Sequence, residues 1–288
     1  MAANVIYGMA RFCKKSYGYG SFLKKINKKR LIKFLNYNFK VFECADRYKK
    51  SVIYLNYLNK KKTTIHYKID NIPIHKKEIE IKYFILNKIL KTLRKLNLKK
   101  IDVLYLHQNS LKIINNKKVI NALKNIKKIG LFKNLGVSIY SEQELYFALN
   151  NNIYKYIQIP INIADTYLYF KFLKKFKKKI IVARSIVLQG ALTNLKKRNI
   201  KYNHIKKYVN LLKEISTKHK INYEELIVRY IFSLKKINYV LIGSINKKNI
   251  NKTLSYQRKG KLENNLIKKI NQISKIKKNW SDARIWSK

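Results

Sequence analysis

A phenol, an amine and an imidazole stand out by where they fall in the chain. Tyr48, Lys68 and His107 each lie at or just past the end of a short apolar run. A tyrosine works as a general acid when its pKa is brought down from about 10 toward neutrality. A neighbouring ammonium does this by favouring the phenolate. A neutral histidine beside the pair can hydrogen-bond a carbonyl oxygen. A carboxylate behind the lysine would hold it charged and oriented, and Glu43 lies in the same segment as Tyr48. Such a set polarises and protonates a carbonyl. Each residue alone has a plainer reading: Tyr48 is one of 22 tyrosines and Lys68 sits in a chain crowded with lysines. His107, one of five histidines, could be a packed core residue. Only their joint placement at three consecutive strand ends argues for chemistry.

The strands that must position them are read from hydrophobic pattern. Ile101 to Gln108 is apolar and aromatic, too short for a typical helix, and reads as a strand buried on both faces, as parallel sheets require. Similar runs span Val5 to Met9, Val41 to Cys44, Thr63 to Ile69, Leu135 to Ile139, Tyr156 to Ile159, Ile180 to Arg184 and Tyr239 to Ile242. Stretches with helical spacing separate them: Lys28 to Asn36, Ser51 to Leu58, Glu78 to Leu96, Val119 to Ile129, a helix capped by Ser141 and Glu144, Thr166 to Phe176, Lys206 to Lys218, and a helix capped by Asn222 and Glu225. Ile250 to Leu254 and Leu266 to Ile273 are helical at the end, and Gly130 is placed to stop its helix with a left-handed cap.

This alternation predicts an α/β fold of parallel strands with right-handed crossovers. Eight units in this length fit a single-domain, closed (β/α)8 TIM barrel over residues 1–288, with a short tail from about 276 that carries Trp280 and Trp286. An open doubly wound sheet is the rival. It would show a Gly-rich turn opening a helix, whereas Gly18-Tyr19-Gly20 lacks the third glycine. In a barrel the carboxyl ends of the strands form the active-site mouth. Those ends carry Glu43 to Tyr48, Lys68, His107, Ser138, Gln158, Arg184 with Ser185, and Gly243 with Ser244.

Composition bounds the rest. Lys and Arg number 66 against 14 Asp and Glu, a net charge of +52. A polyanion partner is one reading of that excess. The other is codon bias: Lys, Asn, Ile and Tyr abound, Gly (8) and Pro (2) are scarce, and the lysines spread along the whole chain. The spread favours bias, so no specific nucleic-acid partner is expected. No apolar stretch is long enough to span a bilayer, the N-terminus lacks a secretory pattern, and no membrane partner is expected. Cys13 and Cys44 make no disulfide framework and fit a reducing cytoplasm. The histidines His66, His75, His204 and His219 show no metal-ligand spacing, and no metal is expected.

At this point the chain resembles the aldo-keto reductase superfamily, in a bacterial-type form, over about Val5 to Lys252. Glu43-Cys44-Ala45-Asp46-Arg47-Tyr48 is similar to the family's Asp-Thr-Ala-x-x-Tyr. Leu93 to His107 is similar to the segment leading to its active-site histidine, Lys133 to Ser138 to its Gly-Val-Ser stretch, and Gln158 to Asn162 to its Gln-x-x-x-Asn. Arg184-Ser185 through Leu192 is similar to its loop after the seventh strand, and Asn222 to Asn246 to its last helix, strand and phosphate loop.

The resemblance implies a reductase of aldehydes or ketones that uses NADP(H) in extended form. Tyr48 would be the general acid, Lys68 its partner, and His107 the substrate orienter. Ser138 and Gln158 would bind the nicotinamide carboxamide, with Ile139 where many members carry an amide. Arg184 would take the place of a stacking aromatic, with Ser185 beside it; Gly243 and Ser244 would meet a cofactor phosphate. Lys247 and Lys248 would replace the usual base, here Asn249, at the 2′-phosphate. Glu43 stands for the family's aspartate, one methylene longer, and an ångström of displacement costs about 10²-fold in rate. Asp46 is the other carboxylate within reach of Lys68 by sequence, though its side chain should point elsewhere.

Three classes of function follow: a carbonyl reductase acting on a small molecule, as a monomer or weak homo-oligomer; a barrel that binds the cofactor and turns over poorly; and a basic polyanion binder. Substrate and direction of reaction are not readable, because barrel function varies in the loops.

Overall fold

A computed structural model describes residues 3–12, 27–48, 51–107, 110–193 and 203–273. Cys13, Tyr17, Gly18, Gly20, Gln108, Asn109 and the tail with Trp280 and Trp286 lie outside the described residues.

Eight strands close a parallel barrel in sequence order: β1 (Asn4–Gly8), β2 (Val41–Ala45), β3 (Thr64–Ile69), β4 (Ile101–Leu106), β5 (Phe132–Ser138), β6 (Tyr154–Pro160), β7 (Ile180–Arg184) and β8 (Tyr239–Ile242). The ring shuts where β1 pairs with β8, Val5 opposite Val240. The helices are α1 (Lys28–Asn38), α2 (Ser51–Tyr54), α3 (Glu78–Leu96), α4 (Leu111–Ile114), α5 (Lys117–Lys128), α6 (Glu142–Asn150), α7 (Tyr167–Phe172), α8 (Asn203–Lys218), α9 (Tyr223–Ser233), α10 (Lys247–Arg258) and α11 (Asn264–Gln272). The expected (β/α)8 architecture is the one observed. The short α4 carries too few residues to show a period, and the pattern did not reveal it.

The helices form for local reasons and dock by their apolar stripes. α3 buries Ile81, Ile85, Ile89, Leu93 and Leu96, spaced by three and four so that they share one face. The α6 start is the expected capping box: Ser141 Oγ accepts from the Glu144 N–H, and Glu144 Oε2 accepts from the Ser141 N–H at 2.9 Å. Gly130 ends α5 at φ +81°, the left-handed backbone that favours glycine. These stripes cover outward-facing strand residues such as Phe42, Leu104, Val137, Ile157 and Ala183, all fully buried.

The inner wall is unusual in being polar and aromatic. Parallel register carries one face from strand to strand: Glu43 opposite His66, Ala45 opposite Lys68, Lys68 opposite Tyr105, Tyr105 opposite Gly136, and Ser138 opposite Gln158. His66, Tyr105, Tyr156 and Tyr239 meet edge-on or tilted in the lumen, centroids 5.4 to 6.4 Å apart. Gly136 makes room for them, since a Cβ there would lie 2.5 Å from the Tyr105 ring. Among the described residues no helix is long and apolar enough to cross a membrane.

Candidate active site

Four of the predicted residues gather in the barrel at the carboxyl ends of β2, β3 and β4. Glu43 and Lys68 project into the lumen, and Lys68 Nζ donates to Glu43 Oε1 at 2.5 Å with both side chains buried. Lys68 Nζ also stands 5.6 Å from the centre of the Tyr48 ring. Tyr48 sits in a short 3-10 turn, Asp46–Tyr48, that continues β2. Its ring meets His107 edge to face, centroids 6.0 Å apart. His107 follows β4 directly, and its backbone N–H donates to Ile69 O at 2.9 Å, which ties it to the end of β3. Glutamate therefore keeps the lysine despite its extra methylene. Asp46 points away, accepting from Tyr67 Oη at 3.0 Å and Lys88 Nζ at 2.7 Å.

The electrostatics differ from the expectation in one respect. Burial pushes the Tyr48 phenol well above its ordinary pKa, and the Glu43 charge adds to the rise; Arg184 opposes it. Glu43 pairs with the Lys68 ammonium, so the two charges partly offset one another at the phenol. Tyr48 is thus held firmly protonated. That suits a proton donor, at the cost of acid strength.

The other predicted residues ring the mouth. Ser138 and Gln158 are in register on β5 and β6, both buried. Gln158 Nε2 donates to Glu43 Oε2 across the barrel, and Gln158 Oε1 is buried with no hydrogen-bond partner among the described residues. Arg184 is buried, donates from Nη2 to Ile139 O at 2.7 Å, and lays its guanidinium 3.9 Å from the centre of the Tyr140 ring. Ser185 has φ +62° and turns the chain sharply out of β7. Gly243 lies so near β1 that a Cβ would come within 3.3 Å of Gly8 O. Tyr7 Oη donates to Ser244 O at 2.7 Å, and Ser244 Oγ accepts from Asn246 N at 3.2 Å. Asn246 caps α10, whose first residues are the exposed Lys247 and Lys248. These last residues form a separate sector between β8 and α10.

Two residues of the mouth had no role in the sequence reading. Asp70, 1% exposed, places Oδ2 3.9 Å from His107 Nδ1, and Arg47 pairs with the same oxygen. The signal was present: Asp70 is two residues after Lys68, on the same face of an extended chain. Tyr140 was also missed; it lies just beyond β5, under Arg184. Asn162 accepts on Oδ1 from Ala164 N and Asp165 N, holding the turn after β6. Among the described residues no group of three or more His, Cys, Asp or Glu is placed to hold a metal.

An eight-stranded parallel barrel with a buried carboxylate, amine, phenol and imidazole at the carboxyl ends of its strands has the form of a barrel enzyme. The sequence model of the Aldo/keto reductase family matches residues 4–275, nearly the whole chain, and the chain belongs to that family. It is an oxidoreductase fold serving nicotinamide-dependent carbonyl chemistry. The structure is similar to a thermostable aldo-keto reductase, Tm1743, solved with the inhibitor epalrestat: TM-score 0.69, 16% identity, 95% of each chain covered. It is also similar to the holo form of the aldo-keto reductase AKR11C1 from Bacillus halodurans: TM-score 0.74, 17% identity, covering 95% of this chain and 93% of that one. At such identities these likenesses carry the fold alone. No curated protein matches the sequence.

Proposed function

We propose that this protein moves hydride between NADP(H) and an aldehyde or ketone, with Tyr48 as the proton donor. The observation that carries this reading is the buried Glu43–Lys68 pair beneath the Tyr48 ring, with His107 edge-on to the same ring. The residues at the mouth fit a nicotinamide dinucleotide: Gln158 Oε1 is a buried acceptor awaiting a donor, which a primary carboxamide supplies. Ser138 would share that carboxamide. Arg184 and Ser185 would lie beside the ring, Gly243 and Ser244 at the phosphates, and Lys247 and Lys248 at a 2′-phosphate, which is the basis for choosing NADP over NAD.

The cofactor, when bound, supplies the hydride. The chain does the rest. His107 hydrogen-bonds the substrate oxygen and fixes it near the phenol. Tyr48 donates its proton to that oxygen as negative charge develops there. Lys68, held by Glu43, stabilises the phenolate left behind. The buried mouth excludes water and strengthens each of these interactions.

A second reading is favoured by the raised phenol and by Glu43 standing where the family carries aspartate: a barrel that binds the dinucleotide and turns over poorly. Mixing purified protein with NADPH and an aromatic aldehyde separates the two. Loss of the reduced-nicotinamide absorbance, abolished by Tyr48→Phe with cofactor binding retained, supports the reductase. Fluorescence changes that report binding, with no absorbance loss over a panel of carbonyls, support the second reading. Neither signal would end both.

A further inference from the structure

We propose that Glu43 is a positioning residue for the cofactor as well as for the lysine: it fixes the side-chain amide of Gln158 so that its carbonyl oxygen is presented to the carboxamide NH2 of the nicotinamide. This rests on the reading of the site given above and goes beyond it.

In a ring of eight strands, β2 and β6 stand opposite one another. Glu43 crosses that span. Its Oε1 accepts from Lys68 Nζ at 2.5 Å and its Oε2 accepts from Gln158 Nε2. An ionised carboxylate only accepts hydrogen bonds. The amide NH2 of Gln158 must therefore face Glu43, and its carbonyl must face away. Oε1 is left as a buried acceptor with no partner among the described residues, on a side chain that is 0% exposed. A buried acceptor of this kind is costly unless a ligand donor meets it, and Ser138 is in register beside it.

An aspartate there, one methylene shorter, would draw the carboxylate back from Gln158 and slacken that anchor. Without that anchor the amide of Gln158 is free to flip, and a flipped amide offers NH2 to an NH2.

The test compares three ligands on the wild type, Glu43→Asp, Glu43→Gln and Gln158→Met. NADP+ has the carboxamide. Its 3-acetylpyridine analogue has no NH2 to donate. 2′-Phospho-ADP-ribose has no nicotinamide at all. The wild type should prefer NADP+ over the acetyl analogue by about tenfold, the worth of one hydrogen bond to a buried acceptor. Glu43→Asp should lose that preference while binding 2′-phospho-ADP-ribose as the wild type does; a general loosening of the barrel would weaken all three ligands together. Gln158→Met, which removes the acceptor and spares the Glu43–Lys68 pair, should lose the preference in the same way and marks its value without the hydrogen bond; Glu43→Gln, which keeps the length but no longer obliges the Gln158 NH2 to face it, should also weaken the preference and carries the test if Glu43→Asp does not fold. Retention of the wild-type preference in any folded variant overturns the proposal. A wild type that binds all three ligands without preference overturns it too and leaves the reductase reading standing. A wild type that binds none of them sinks both.

Discussion

Asp70 Oδ2 lies 3.9 Å from His107 Nδ1, and Asp70 is 1% exposed. At that distance the two are not hydrogen-bonded, but a buried carboxylate attracts the imidazole and biases the ring's orientation. Arg47 shares the same oxygen but is 58% exposed, so its hold on Asp70 is discounted by solvent. Asp70→Asn, which keeps the shape and removes the charge, should lower kcat/KM for a carbonyl by about 10²-fold if the ring drifts by an ångström. Steady-state kinetics decide it. An unchanged kcat/KM would make Asp70 a partner of Arg47 alone.

The Glu43–Lys68 pair separates structure from chemistry. Lys68→Met leaves a buried carboxylate without its cation and should cost about 3–5 kcal/mol. The double change Lys68→Met with Glu43→Met replaces the pair by apolar side chains of similar volume and should recover part of that loss, the remainder reflecting the buried Gln158 amide left without its acceptor. Both variants should be inactive. Urea unfolding and turnover measured on the same preparations check this. A double variant as unstable as the single one would show that the pair's stability contribution is not electrostatic.

Gly136 predicts a steric effect. Its absent Cβ would sit 2.5 Å from the Tyr105 ring and 2.9 Å from Tyr156 Cβ. Tyr105 is fully buried, so the ring has nowhere to go. Gly136→Ala should destabilise by about 1–3 kcal/mol by overpacking. Truncating Tyr105 in the Gly136→Ala background should reduce the penalty, and a thermal-denaturation double-mutant cycle measures that coupling.

His66 predicts a pH dependence. Burial lowers its pKa from 6.5 to about 4; Glu43 and Asp102 oppose the shift, Lys68 adds to it, and Tyr105 Oη lies 3.2 Å from Nδ1. Between those two values the unfolded chain binds a proton that the native chain refuses, so stability rises with pH across that window. The contribution is whole above the unfolded value and is lost as pH falls to the folded one, up to about 3 kcal/mol. His66→Gln should flatten the slope there. Stability curves at several pH values, compared between the two proteins, test the sign. An identical slope in the variant would assign the pH dependence to other groups.

The sequence by itself determined the barrel and the list of residues at its mouth. Strand and helix periods are local properties of side-chain order, so β7 and β8 fall where the pattern put them, and α3 begins and ends at Glu78 and Leu96 as read. β5 and β6 extend further toward their amino ends than the pattern showed, to Phe132 and Tyr154, because polar residues there are carried by neighbouring strands. Tyr48, Lys68 and His107 were legible because each closes an apolar run. What Glu43 does with its second oxygen was not legible. Residues 43 and 158 are far apart in sequence, and only closure of the ring brings them face to face. The same holds for Asp70 beneath His107 and for the rise in the Tyr48 pKa. Burial and cross-barrel distance set these, and neither exists until the last strand pairs with the first.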